Sequence, residues 1–183
     1  MKTKALLTIM LLSPFMVKAV IFQTIPSALK EIFHEGHEIK RKTLFLTKEQ
    51  QKGLGQLIKE PIDSRLVVYY EGILKNKLQG TVFIDTHRVR TNNESVLFLV
   101  SPDGKLSRVK VLKFLEPPDY MASDRWINQL TGRVLNEKLS LRSEIHGITG
   151  ATLTARALTM ASRRVLALHQ LLYSDGTLAA DLR

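Results

Sequence analysis

The 183-residue chain is long enough for one ordinary domain with a sizeable core, and at 44% hydrophobic and 24% charged residues it has the composition of a folded protein. It has no cysteine, which excludes a disulfide framework, a cysteine-ligated iron–sulfur cluster and thioether-bound haem. A net charge of +10 favours anionic partners such as an acidic protein, a phosphate-bearing cofactor or an anionic membrane surface.

The first residues, MKTKALLTIMLLSPFMVKA, have the pattern of an export signal. Lys2 and Lys4 precede a short apolar stretch from Ala5 to Val17, and Val17-Lys18-Ala19 offers small residues for cleavage after Ala19. The stretch is shorter than the roughly 20 residues needed to span a bilayer and contains Pro14; an uncleaved anchor running to Phe22 would be interrupted by Lys18. Residues 20–183 are then expected as a single domain, periplasmic or otherwise outside the cytosol. Without Lys2, Lys4 and Lys18 that domain has 24 basic and 17 acidic residues and remains basic. Nucleic acid does not suit an exported protein. Membrane association is compatible with the sequence and not required by it.

Ile25, Leu29, Ile32 and Phe33 recur at helical spacing, predicting a first helix over 25–37. Lys42 to Leu46 is a short strand candidate. Thr47 followed by Gln50 is a capping-box pattern that opens a helix through Ile58, which Pro61 closes off. Strands are predicted over 64–74, 80–89, 95–100 and 106–115, the last two joined at Asp103-Gly104, a hairpin signal. Beyond Pro117-Pro118, Ser123 opens a capped helix that ends near Gly132. From Leu153 to Tyr173, Leu158, Ala161, Val165, Leu168 and Leu172 form one apolar face, with Arg156 and Arg163 on another side. The expected fold is α+β, a twisted antiparallel sheet packed by helices.

Chemistry concentrates in residues 146–154, HGITGATLT. Gly147 and Gly150 allow close backbone approach and positive φ. The following helix offers unpaired N–H donors and a positive dipole end, a natural phosphate site. Thr149, Thr152 and Thr154 cluster hydroxyls there. Read by itself the segment is an ordinary helix cap before it is a ligand site.

The run Thr149-Gly150-Ala151-Thr152-Leu153-Thr154 resembles the flavinylation motif of the FMN-binding domain family, typically Asp-x-x-Ser/Thr-Gly-Ala-Thr. Members include the extracytoplasmic flavin subunits of Rnf and Na⁺-pumping quinone reductase complexes. The resemblance implies that Thr152 is esterified by the phosphate of FMN, installed by a flavin transferase that uses FAD. His146 stands where the family usually has the aspartate. A softer resemblance lies upstream, where the family often has Glu-Thr-Pro-Gly and then a helix with a tryptophan; here Glu116-Pro117-Pro118-Asp119-Tyr120 precedes Trp126 and Gly132. The whole resemblance runs over about residues 66–172.

The implied cofactor is FMN at the N-terminus of the last helix. Thr149, Gly150, Ala151, Leu153 and Thr154 would surround the Thr152 ester, with Glu116 on the neighbouring loop. Tyr120 and Trp126 are candidates to flank the isoalloxazine ring. Arg156, one turn into the helix, is a candidate phosphate neighbour or simply a solvated residue. The implied role is an exported flavoprotein relaying electrons to a redox protein or membrane electron-transfer complex, a carrier more than an enzyme. Two rivals stay open: a basic exported binding module without flavin, and a flavin-dependent reductase of a small substrate. His34 and His37, flanked by Glu35 and Glu38, lack a third ligand by spacing. His87 and His169 show no constellation in the sequence.

Overall fold

The computed structural model describes residues 20–173. The expected signal segment and residues 174–183 lie outside the described residues. β1 is a two-residue strand, Val20–Ile21. Thr24 then caps α1 (Ile25–Ile32), its hydroxyl accepting from the Ser27 N–H. This helix is shorter than its spacing predicts. Phe33 leaves helical geometry and Gly36 takes φ +91°, turning the chain into β2 (Glu38–Phe45). The Thr47–Gln50 capping box forms with both reciprocal bonds and opens α2 (Lys48–Ile58).

The remaining strands are β3 (Leu66–Leu74), β4 (Lys77–Arg88), β5 (Asn93–Val100) and β6 (Leu106–Phe114). The β3–β4 turn is made by Lys75 and Asn76, both at positive φ (49° and 60°), which matches the right-handed strand twist that two-residue hairpins need. β2 through β6 form an antiparallel meander, and β1 adds to the edge of β6, giving the order β1-β6-β5-β4-β3-β2. A 3-10 turn (Pro118–Tyr120), the four-residue α3 (Asp124–Ile127) and the long α4 (Thr152–Tyr173) follow. The expected α+β class and antiparallel sheet are what the chain adopts.

Alternation along the strands divides the core between the two faces. One face buries Phe83, Phe98 and Phe114 against Leu54 of α2 and Leu158, Ala161 and Val165 of α4. The opposite face buries Val82, Leu97 and Leu112 under Ala28, Leu29 and Phe33 of α1. Full burial of each large apolar side chain stabilises by about 1.5–3 kcal/mol. Gly72 in β3 is needed for the α1 face, because a Cβ there would lie 2.0 Å from Cε1 of Phe33. Gly72→Ala is expected to cost about 1–3 kcal/mol through overpacking. An unchanged urea midpoint would contradict that contact.

One α4 residue departs from the sequence reading. Arg163, expected on a side away from the core, is buried, and its guanidinium donates to the carbonyls of Asn136 (2.7 Å), Leu139 (3.1 Å) and Leu57 (3.4 Å). It ties the 136–139 loop and α2 to α4. This fixes the direction of α4, whose N-terminus meets the β4–β5 turn while Tyr173 hydrogen-bonds Thr81 near the other end of β4 (3.0 Å).

Candidate functional site

A cleft of about 330 Å³ opens where α4 begins, lined by Val89, Arg90, Glu116, Tyr120 and residues 150–154. Its floor follows from local sequence. The Ala151 N–H donates to Ile148 (3.1 Å), Gly150 takes φ +79°, and the Ala155 N–H donates to the Ala151 carbonyl (3.2 Å). Ala151 therefore occupies the capping position of α4, whereas α1, α2 and α3 are capped by the hydroxyls of Thr24, Thr47 and Ser123. Alanine has no side-chain acceptor for the first-turn N–H groups, so these donors and the positive dipole end remain for an anion.

Thr152 is the first residue of α4, exposed and in the cleft wall. Its hydroxyl is thus placed to be reached from outside. Leu153 is half exposed beside it. Thr154 differs: it is buried, and its hydroxyl donates to the Tyr120 carbonyl at 2.6 Å. That bond pins the 118–120 turn to α4 and sets the cleft width. Thr149 is exposed and lies outside the cleft lining. A Cβ on Gly150 would meet nothing within 4 Å, so glycine is needed there for its backbone conformation alone. Gly150→Ala is expected to lose about 1–2 kcal/mol, read as a lower thermal midpoint. A midpoint equal to the parent's would count against the left-handed turn.

Glu116 forms the opposite wall, and it is almost fully buried. Its Oε1 accepts the backbone N–H groups of Arg90 (3.1 Å), Thr91 (2.6 Å) and Asn92 (2.7 Å). Burial alone would raise its pKa, but these three donors outweigh it and hold the carboxyl below its ordinary value. The carboxylate thereby shapes the β4–β5 turn and holds Arg90 at the cleft. The Arg90 guanidinium lies 6.0 Å from the centroid of the Tyr120 ring, which also lines the cleft.

Trp126 is buried beside the cleft rather than in its lining. Its indole N–H donates to the His146 carbonyl (2.7 Å), and Gln129 Oε1 accepts the His146 N–H (3.0 Å). Trp126 and Gln129 thus anchor the backbone of the loop leading into the Thr-Gly-Ala-Thr run, while the imidazole of His146 is exposed. Arg156 is exposed outside the cleft lining; the cation in the lining is Arg90, which no local motif marks.

A second constellation was not legible in the sequence. The His87 imidazole donates to Asp85 Oδ1 (2.8 Å) and to Glu94 Oε2 (3.2 Å), and Arg164 of α4 binds Asp85 through Nε (2.8 Å) and Nη2 (3.1 Å). Arg164 also reaches Glu60 (2.7 Å). Burial works against both charges, but hydrogen bonds from His87 and Arg164 hold Asp85 at about 2, and those to Asp85 and Glu94 raise His87 to about 9. His87 is therefore part of a buried ion network that staples α4 to β4 and β5, a constellation that the sequence spacing does not show. The network borders a groove of about 510 Å³ further along α4.

Residues 93–167 match the family model of the FMN-binding domain. The matched stretch contains β5, β6, the Glu116 loop, Trp126 and the Thr-Gly-Ala-Thr run; Val89 and Arg90 lie just before it. No curated protein matches the chain. Among solved structures, the crystal structure of NqrC from Shewanella oneidensis superposes with a TM-score of 0.55 at 14% identity, covering 84% of this chain and 89% of that one. The helix start that the cleft leaves free for an anion, with an aromatic ring and a cation facing it, suits a flavin phosphate. Residues 93–167 are thus similar to the FMN-binding domain, and the chain has the fold seen in NqrC.

Proposed function

We propose that Thr152 holds FMN as a phosphoester and that the protein is an exported electron carrier. The observation that carries this reading is the placement of Thr152: an exposed hydroxyl on the first residue of a helix whose capping position is alanine, inside a cleft of the matched domain. A threonine hydroxyl has no low pKa and does not attack a phosphate unaided, so a flavin transferase with a metal is the expected agent. With FAD as donor, the Thr152 oxygen bonds to the FMN-side phosphorus and the bridging P–O bond breaks. AMP leaves, and the hydroxyl proton passes to the transferase's base.

The resulting phosphodiester keeps one negative charge, which the N-terminal dipole of α4 and Arg90 stabilise. Tyr120 offers an aromatic face in the cleft wall, and Glu116 holds the wall itself. Bound FMN supplies one- or two-electron chemistry, and the protein's part is to hold and orient it. A redox protein or a membrane electron-transfer complex is the fitting partner, approached through the open side of the cleft. The N-terminal pattern of Lys2, Lys4 and the apolar run supports export.

Expressing the full chain with and without a flavin transferase tests the reading. The band on a denaturing gel is expected to fluoresce under ultraviolet light only when the transferase is present. A dark band in both cases would sink the covalent attachment. Fluorescence that survives in Thr152→Ala would place the attachment elsewhere.

A further inference from the structure

β3 and β4 separate at the cleft end of the sheet. Their pairing stops at Tyr69–Phe83, whereas β3 stays paired with β2 as far as Leu66 and β4 with β5 as far as Arg88. The groove of about 510 Å³ occupies this fork, with Leu66–Val68 on one lip and Ile84–Arg88 on the other; Ala157 and Met160 of α4 line it as well.

Neighbouring hydrogen bonds fix which way the backbone groups of the lips point. The Leu46 N–H donates to the Arg65 carbonyl (2.8 Å), so Arg65 faces β2. Leu66 faces the fork, where the Ser64 hydroxyl accepts from its N–H (3.1 Å) and donates to its carbonyl (3.0 Å). On the other lip the Val89 N–H donates to the Asn92 carbonyl (3.0 Å) in the β4–β5 turn. Backbone groups alternate from side to side along a strand, so Asp85 and His87 face β5 with Val89, and Ile84, Thr86 and Arg88 face the fork. Among the described residues nothing bonds the N–H or C=O of these three across the fork.

Three donor–acceptor pairs spaced two residues apart are what an extended backbone matches. The outer edge of β2 is open too, but it carries Lys40, Arg41 and Lys42, the charges that blunt a free edge; Ile84-Asp85-Thr86-His87-Arg88 contains no lysine and no proline. Asp85, His87 and Arg164 in the groove are already paired with one another, with Glu94 and with Glu60, so its wall calls for no charge. Ala157 and Met160 are only half-buried there and offer a seat for apolar side chains.

We propose that the fork binds an extended polypeptide segment of a partner protein, which adds to β4 along Ile84–Arg88 and turns alternate apolar side chains toward Ala157 and Met160. Arg88 in the fork and Arg90 in the Thr152 cleft are two residues apart, so a segment held here brings its protein beside the cleft. The inference does not require flavin attachment at Thr152, and each can fail alone.

The chain has no cysteine, so Leu66→Cys in the full chain places a single thiol at the lip of the fork. A capped peptide, Cys-Gly-Thr-Val-Thr-Val-Thr, is joined to it by a disulfide, and amide hydrogen exchange is followed by NMR. Exchange at Ile84 and Thr86 is expected to be fast without the peptide and to slow about tenfold or more with it. It is expected to stay fast when the same peptide is N-methylated at every threonine and valine. Fast exchange with the unmethylated peptide attached, or equal slowing by the methylated one, would overturn the proposal, because the fork would then not hold a backbone. So would amides already slow without any peptide, which would mean a closed fork. Slowing that follows protein concentration alone would assign the edge to a second copy of this chain and overturn it as well.

Discussion

Asp85→Ala is expected to destabilise the protein by about 3–5 kcal/mol, because it breaks a buried ion network and leaves the other charges in place. Asp85 receives both His87 and two nitrogens of Arg164, and its side chain is only 13% exposed. Without it, the Arg164 guanidinium keeps Glu60 alone and the His87 imidazole keeps Glu94 alone. Equilibrium urea unfolding measures the loss. A change under about 1 kcal/mol would show that solvent screens the network as it does a surface pair.

The same network sets a pH window. His87 titrates at about 9 in the folded chain against 6.5 when unfolded, so its contribution is complete below pH 6.5 and is lost as pH rises through 9. Asp85, depressed from 3.8 to about 2, contributes above 3.8 and loses that contribution as pH falls through 2. His169 works in a separate window. Burial lowers its pKa to about 4, so stability falls as pH drops from 6.5 through 4. The thermal midpoint should therefore decline between pH 6.5 and 9 in the parent and decline less in Asp85→Ala. Parallel profiles would dissociate His87 from Asp85.

Glu116→Ala is the second large effect, expected at about 2–4 kcal/mol, since hydrogen bonds to a charged acceptor are worth about 1.5–3 kcal/mol each and solvent replaces part of the loss. Three backbone N–H groups of the β4–β5 turn lose their acceptor together. The change also frees Arg90 and opens the cleft wall. Flavin loading by the transferase should fall along with the midpoint, and Glu116→Gln, which keeps one acceptor oxygen, should recover part of both. If Glu116→Ala kept full stability and full loading, the carboxylate would have no role in shaping the cleft.

These two sites show what the sequence makes legible and what it hides. The Thr47–Gln50 capping box, the Asp103-Gly104 turn and the Thr-Gly-Ala-Thr run are local: each signal spans a few residues and forms the structure it predicts. The β3–β4 connection is expected between residues 74 and 80, but its tight turn carries no glycine signal because Lys75 and Asn76 reach positive φ themselves. The ion network was missed for a different reason. Its members come from the α2–β3 loop, β4, β5 and α4, and only the meander register, which sets His87 opposite Glu94, brings them together. Arg163 reads as a solvated residue because its three carbonyl acceptors lie 24 or more residues away. Arg90 at the cleft has no motif of its own, and Glu116, 26 residues on, holds its backbone.

The attachment at Thr152 has its most direct test in one peptide. Trypsin cuts after Arg142 and Arg156 and releases residues 143–156, which contain Thr149, Thr152 and Thr154 and no internal lysine or arginine. After expression with a flavin transferase, this peptide should gain the mass of one FMN less one water, with fragment ions assigning the addition to Thr152. An unmodified peptide from protein that has met the transferase and FAD, or an addition on Thr149 or Thr154, would contradict the account.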